Sequence, residues 1–267
     1  MNTLKIMIKA TIIYNVFLWL RKIWRNMFSV NVLRAKDGIS LVRSKKSSLS
    51  YFFPYDGIFR VDSTQIMILD KGYHLHLQKK YSNPDCRVLP GDTVVDCGGF
   101  VGGFSIAANK MVAERVLHVE PTPITQYCAK LNFALHGVDN VECINIGLGD
   151  KDTVKKLNLS RSFADNSFLT PDDGTNFGVI DVQSKTIDTL AKECGLVSTK
   201  TFFKVEAEGF EVEILNGMNS FFPNRIVVDV SPERDGLSPA DEISVILRNK
   251  NYDIIENNGS CLFAVLR

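Results

Sequence analysis

The sequence predicts an α/β protein: a doubly wound, mostly parallel sheet closed by a C-terminal antiparallel hairpin, with a small β-rich cap at the N-terminus. From Pro90 onward, short apolar runs alternate with helix-length segments, which is the pattern of repeated β-α-β units. The run Pro90 to Phe104 reads as a turn, a strand ending in Asp96, a glycine-rich bend and a helix start. At the other end, Asn257-Asn258-Gly259-Ser260 separates two strand-like runs and calls for a hairpin.

Taken in order, residues 1–28 are apolar and aromatic, with Arg21, Lys22 and Arg25 close behind the uncharged run Ala10 to Leu20. That run is shorter than the roughly 18 to 20 residues needed to span hydrocarbon. Two readings stand: a helix packed on the main domain, or a helix in peripheral contact with a membrane surface. Residues 29–89 form the β-rich cap, with strand-like pieces at Val30 to Leu33, Ile39 to Val42, Gly57 to Asp62, Gln65 to Leu69 and Tyr73 to Gln78. Asp70-Lys71-Gly72 reads as a hairpin turn between the last two, and the aromatic stretch Tyr51 to Tyr55 as core packing or the lining of a substrate entrance. Residues 90–267 are the main domain. Its strands are Thr93 to Cys97, Arg115 to Glu120, Val141 to Ile146, Thr201 to Ala207 and Arg225 to Val230, and the runs Tyr252 to Glu256 and Cys261 to Leu266 form the terminal hairpin. Helices are expected at Phe104 to Val112, Pro123 to His136, Thr186 to Cys194, Phe210 to Met218 and Asp241 to Lys250.

Composition narrows the function. Lysine plus arginine (31) nearly cancels aspartate plus glutamate (30), so nothing in the overall charge draws the chain to nucleic acid. The six cysteines show no C-x-x-C and look like buried hydrophobes of a reducing, cytoplasmic compartment. His74 and His76 would share one face of a strand, but no further ligands are spaced nearby, and no metal site is expected.

The carboxyl ends of the strands carry the chemistry. A strand feeding a glycine turn into a helix start presents backbone N–H groups at the sheet edge where ligands dock in open α/β folds. Asp96, Gly98, Gly99, Phe100 and Gly102 make up that turn. Phe100 stands where a dinucleotide fingerprint needs its second glycine, which argues against a pyrophosphate-bearing cofactor. Glu120 ends the next strand, about 20 positions on, and is suited to accept both hydroxyls of a ribose. In Lys204-Val205-Glu206-Ala207-Glu208-Gly209-Phe210-Glu211, alternation would place Glu206 and Glu208 on one side of the strand end, while Glu211 suits the following helix N-terminus. Asp150 closes a Gly-Leu-Gly-Asp turn near the third strand, either beside the cofactor or in an ordinary turn. The stretch Asn158 to Gly178 is either a lid over an acceptor or a surface loop.

Together, Asp96-x-Gly98-Gly99-x-Val101-Gly102, His118-Val119-Glu120-Pro121, Gly147-Leu148-Gly149-Asp150, Thr186-Ile187-Asp188-Thr189-Leu190 and the Lys204 to Glu211 run resemble the FkbM family of methyltransferases. The resemblance implies a class I methyltransferase-like, Rossmann-like fold and S-adenosylmethionine as methyl donor. It also implies O-methylation of a hydroxyl on a sugar or natural-product-like small molecule, a glycan included. In that reading Asp96, Gly98, Gly99, Phe100, Gly102, Glu120 and Asp150 face the cofactor, and Glu206 or Glu208 is the catalytic base. Two positions depart from the family pattern, with Phe100 in place of Asn and Glu206 in place of Asp. The other reading is an inactive, membrane-associated binding or scaffold protein on the same fold.

Overall fold

The computed structural model describes residues 30–54, 63–170, 177–234 and 236–267. The expected N-terminal helix, residues 1–28, lies outside the described residues. The chain divides into two compact units, residues 1–73 and 74–267.

In the first unit, β1 (Val30–Lys36), β2 (Ile39–Ser44) and β3 (Ser50–Phe53) form an antiparallel sheet in that order. Alternation turns Tyr51 and Phe53 inward, both fully buried, and the Tyr51 ring meets Tyr73 edge-on at 4.9 Å. These rings are core, not an entrance. At Gln65 to Gln78 two helices replace the expected strands and hairpin: α1 (Ser63–Asp70), in the first unit, and α2 (Tyr73–Lys80), which from His74 on belongs to the second. Ile66, Leu69 and Tyr73, all buried, recur at helical spacing, and this periodicity overrides the local alternation. Gly72, at φ +82°, ends α1, and Ser44 Oγ donates to Asp70 Oδ1 at 2.6 Å to pin it to β2. On α2 the two histidines no longer share a face. His74 packs edge-on against His136 at 5.8 Å, and burial lowers its proton affinity.

The second unit is built on a seven-stranded sheet. Its parallel part is β4 (Thr93–Cys97), β5 (Arg115–Val119), β6 (Val141–Ile144), β10 (Thr201–Val205) and β11 (Arg225–Asp229), and β12 (Tyr252–Asn257) and β13 (Cys261–Leu266) form the antiparallel hairpin. The spatial order is β12-β13-β11-β10-β4-β5-β6. The chain runs outward from β4 to β6 and then crosses back to β10, so the topological switch lies between β4 and β10, the place where open α/β sheets bind ligands. The helices are α3 (Gly103–Lys110), α4 (Pro123–His136), α5 (Ile187–Cys194), α6 (Glu211–Asn216) and α7 (Ala240–Asn249). Both faces of the sheet are covered. Leu117, Phe203, Val205, Ile226 and Ile243 pack on one side, and Val94, Phe104, Val116, Phe202 and Val227 on the other.

One element was not expected. β7 (Gly147–Leu148), β8 (Thr153–Leu159) and β9 (Gly178–Lys185) form a second sheet in the order β7-β9-β8. The stretch Asn158 to Gly178 is thus the connection of a hairpin, with Asn158 and Ser167 bridged by backbone hydrogen bonds at its base. No described helix is long and apolar enough to cross a membrane.

Candidate active site

The turn after β4 is closed by its own hydrogen bonds. The N–H groups of Gly98 and Gly99 both donate to Val119 O, at 3.0 and 3.1 Å, and Phe100 N–H donates to Glu120 Oε2 at 2.9 Å. Three amides expected to face a ligand are therefore spent inside the turn, which leaves no phosphate cradle there. Gly98, at φ +69°, is forced: a Cβ would lie 1.7 Å from Glu206 O. At Gly99 a Cβ would lie 2.2 Å from His118 Nδ1. Both glycines serve close packing between strand ends. Phe100, at φ +48°, holds a left-handed conformation in which β-unbranched aromatic residues are uncommon.

Glu120 follows β5 and is buried. Its Oε1 accepts from Thr122 N–H and Thr125 Oγ1, each at 2.8 Å, and its Oε2 takes the Phe100 amide. With two lone pairs per oxygen, one acceptor position remains, on Oε2. The Thr125 hydroxyl, with one hydrogen, lies equally 2.8 Å from Thr122 O, and when it turns there a second position opens on Oε1, as the expected grip on both ribose hydroxyls requires. Burial raises its proton affinity.

Asp96, also fully buried, accepts from Ser105 Oγ at 2.7 Å, and that hydroxyl lies 3.0 Å from His118 Nδ1. Lys204 Nζ sits 3.1 Å from Asp96 Oδ1 and donates to Gly98 O at 2.9 Å. Burial opposes the charge on Asp96, but Lys204 and His118 outweigh it and hold the carboxyl down to about 2. Asp96 is therefore turned into the protein, where it fixes the turn.

From Lys204 a row of alternating charges crosses the switch point. Lys204 Nζ lies 3.1 Å from Glu206 Oε2, Glu206 Oε1 lies 2.8 Å from Lys80 Nζ, and Lys80 Nζ lies 2.6 Å from Asp229 Oδ2. Lys204 and Asp229 are buried, whereas the Glu206 and Lys80 side chains keep about a quarter of their surface open, at 24% and 25%. Burial works against charge on Glu206, yet the two ammonium groups hold it well below the ordinary carboxylate range. Both lysines also lie over the buried Tyr81 ring, 4.8 and 5.4 Å from its centre.

Glu208 does not share a face with Glu206. β10 ends at Val205, and Glu208 sits in a turn at φ +52°, its carbonyl accepting from Ser167 Oγ at 2.7 Å. Burial, then the like charges of Glu233 and Glu206, push its carboxyl up, and burial with Asp229 and Glu211 pushes Glu233 up to about 9. Glu211, buried at the start of α6, accepts the Ala207 N–H at 2.6 Å and is pushed up to about 7, chiefly by burial. Asp150 stands apart. It lies between β7 and β8, paired at 3.0 Å with Lys155, outside the row of charges. The stretch after Asn158 does reach the edge, since Asn166 Nδ2 donates to Thr122 Oγ1 at 2.9 Å and Ser167 to the Glu208 carbonyl.

The structure thus brings together Asp96, Gly98, Gly99, Phe100, Glu120 and Glu206. It adds Lys80, Tyr81, Ser105, Asp229 and Glu233, which the sequence reading passed over, and gives contacts to His118 and Lys204, which stood in the motifs without a role. Asp229 had a signal: like Asp96, it ends an apolar strand in a carboxylate. A turn without a phosphate cradle, beside a buried acidic acceptor, fits a donor that has a ribose and no pyrophosphate.

Comparison with known proteins agrees. Residues 96–254, more than half of the chain, match the family described as "Methyltransferase FkbM domain". A curated relative, "Methyltransferase 1" of Beauveria bassiana, is 27% identical over 154 residues, covering 51% of this chain and 62% of that protein, so the chain spans less than two thirds of its relative's length. Similar solved structures include methyltransferase FkbM from Methylobacillus flagellatus KT (TM-score 0.45, 18% identity, 77% of this chain and 56% of that one). Another is M. jannaschii TYW2 in complex with AdoMet (TM-score 0.43, 14% identity, 88% and 87%). The chain belongs to the FkbM family of methyltransferases.

Proposed function

We propose that this methyltransferase acts on a hydroxyl oxygen of a sugar or natural-product-like small molecule. The observation that carries the reading is Glu206, a partly open carboxylate held between two lysines at the switch point beside the turn that Glu120 closes. S-adenosylmethionine supplies an electrophilic methyl on a positively charged sulfur. The residues given to the cofactor are Gly98, Gly99, Phe100 and Gly102 for the shape of the turn, Asp96 for its rigidity, and Glu120 for a ribose hydroxyl. Asp150, held by Lys155, is left out of that set.

The acceptor must meet the methyl in line and lose a proton. Glu206 is poorly suited to take it, because two lysines stabilise its charged form. It serves as a fixed hydrogen-bond acceptor that orients the hydroxyl. Glu208, whose proton affinity is raised, is the stronger base of the two.

Thermal-shift measurements with S-adenosylmethionine, S-adenosylhomocysteine and NAD test the site. The first two should raise the melting temperature by several degrees at saturating ligand and NAD should not. Transfer of labelled methyl to a panel of methyl glycosides then tests the acceptor, and labelling of RNA or protein in place of the glycosides would overturn the small-molecule reading. Glu120→Ala should abolish cofactor binding in calorimetry, and an unchanged affinity would remove Glu120 from the ribose contact.

A further inference from the structure

We propose that Lys80, on α2 and ahead of the residues that match the family, is a positioning residue of the methyl-transfer site: with Lys204 it clamps the Glu206 carboxylate in one orientation at the sheet edge. The proposal rests on the function proposed above, with Glu206 as the group that orients the acceptor.

The geometry is that of a two-sided clamp. Glu206 is tied to the cofactor turn through its backbone, since its N–H donates to Cys97 O at 3.2 Å and its carbonyl closes on Gly98. Its side chain has one oxygen for each lysine, Oε1 for Lys80 at 2.8 Å and Oε2 for Lys204 at 3.1 Å. The two lysines differ in what else they do. Lys204 spends its other contacts on Asp96 and the carbonyls of Cys97 and Gly98, all within the β4–β10 edge. Lys80 also pairs with Asp229, at the end of β11, so together with the Tyr81 hydroxyl it joins the β10 and β11 strand ends from outside the sheet. Asp229 is itself anchored, Oδ1 accepting from Ser231 N–H at 2.8 Å and Oδ2 lying 3.4 Å from Tyr81 Oη. Neither lysine can shift without leaving a buried carboxylate unpaired, which is costly.

The groups facing Glu206 are Lys80 at the end of α2 and Tyr81 just after it, Lys204 beside it on β10, Asp96 on β4, Asp229 on β11, Glu208 and Glu233 from the loops, and Glu211 at the start of α6. Of these, the two lysines favour its charged form most, and the Tyr81 hydroxyl adds a hydrogen bond to it. Removing Lys80 leaves Glu206 with one cation among several acids, so the carboxylate should gain a proton more readily and lose its fixed aim.

The test is a carbon-13 titration of the full chain labelled at the glutamate carboxyls, with the Glu206 resonance assigned by its loss in Glu206→Gln. In the unmodified protein Glu206 should remain ionised down to pH 4. In Lys80→Met its midpoint should rise by at least one pH unit, and Lys80→Arg should restore it. Calorimetry with S-adenosylhomocysteine should show affinity in Lys80→Met within about threefold of the unmodified chain, while methyl transfer to the glycoside panel falls roughly tenfold to a hundredfold. A Glu206 midpoint above pH 4 in the unmodified protein overturns the proposal even if Lys80→Met does not fold, and so does an unmoved midpoint in a folded Lys80→Met. Failure of the unmodified chain to bind S-adenosylhomocysteine would overturn the proposed function instead, and the titration would still decide whether Lys80 holds Glu206.

Discussion

Lys204 and Asp96 are register partners on adjacent parallel strands, and their side chains meet at 3.1 Å across the topological switch. Both are almost wholly buried, so each is the other's main compensation for leaving water. Lys204→Met should cost about 3–5 kcal/mol, because it strands Asp96 and loosens Glu206 and the Gly98 carbonyl. The melting temperature should fall by roughly 6–20 °C. A fall of no more than about 1 °C would show that the pair adds nothing to the fold. A double-mutant cycle with Asp96→Asn separates the pairwise part from the rest.

Glu211 gives the stability a pH dependence of its own. Its folded-state carboxyl is pushed up to about 7, mainly by burial, above its ordinary value of 4.5. The unfolded chain therefore loses this proton first. The stabilising contribution is complete below about pH 4.5 and is lost as pH rises through 7. Gln at 211 can still accept the Ala207 N–H and has no proton to lose. Glu211→Gln should therefore become more stable relative to the unmodified chain between pH 5 and 8, by about 3 kcal/mol at most. Denaturant melts at the two pH values measure this, and parallel curves would show that Glu211 titrates normally.

Asp188 belongs to a motif that signals the family, and its contacts are structural. Its carboxylate accepts from the backbone N–H groups of Asn219, Ser220 and Phe221, at 3.0, 2.8 and 2.9 Å, while Thr186 caps α5 through Thr189 N–H at 3.1 Å. Asp188→Ala should destabilise the chain by about 2–4 kcal/mol, since hydrogen bonds to a charged group are worth roughly 1.5–3 kcal/mol each and water replaces part of the loss. Affinity for S-adenosylhomocysteine should be unchanged in the folded variant. A large loss of affinity with normal stability would move the motif into the site.

The sequence was most readable where one residue type has one physical meaning. Apolar runs buried on both faces located β4, β5, β10 and β11 to within a residue or two, and the glycine turn located the switch point. It was least readable where partners come from distant segments. Lys80 follows a run that reads as a strand and carries no motif, and only the fold brings it 126 positions along the chain to Glu206. The same holds for Glu120, whose spacing suggested a ribose partner but did not show that Thr122 and Thr125 also donate to its Oε1. β8 and β9 were missed because only Leu157, Val182 and Ser184 of the hairpin are buried, too few to set a clear alternation.

At Phe100 local conformation and composition disagree. Its φ of +48° lies in a region that asparagine tolerates and phenylalanine rarely adopts. A non-glycine residue held there costs of order 1–3 kcal/mol, less for asparagine, whose short polar side chain bonds locally. The amide bond to Glu120 is made by the backbone and survives substitution. Phe100→Asn should therefore stabilise the chain by about 1 kcal/mol and raise the melting temperature by roughly 2–4 °C. Cofactor affinity should hold or improve, because the turn and Glu120 keep their geometry with less strain. A lower melting temperature would mean that the contacts of the Phe100 ring outweigh its backbone strain, and a lower affinity with unchanged melting would make that ring part of the cofactor pocket.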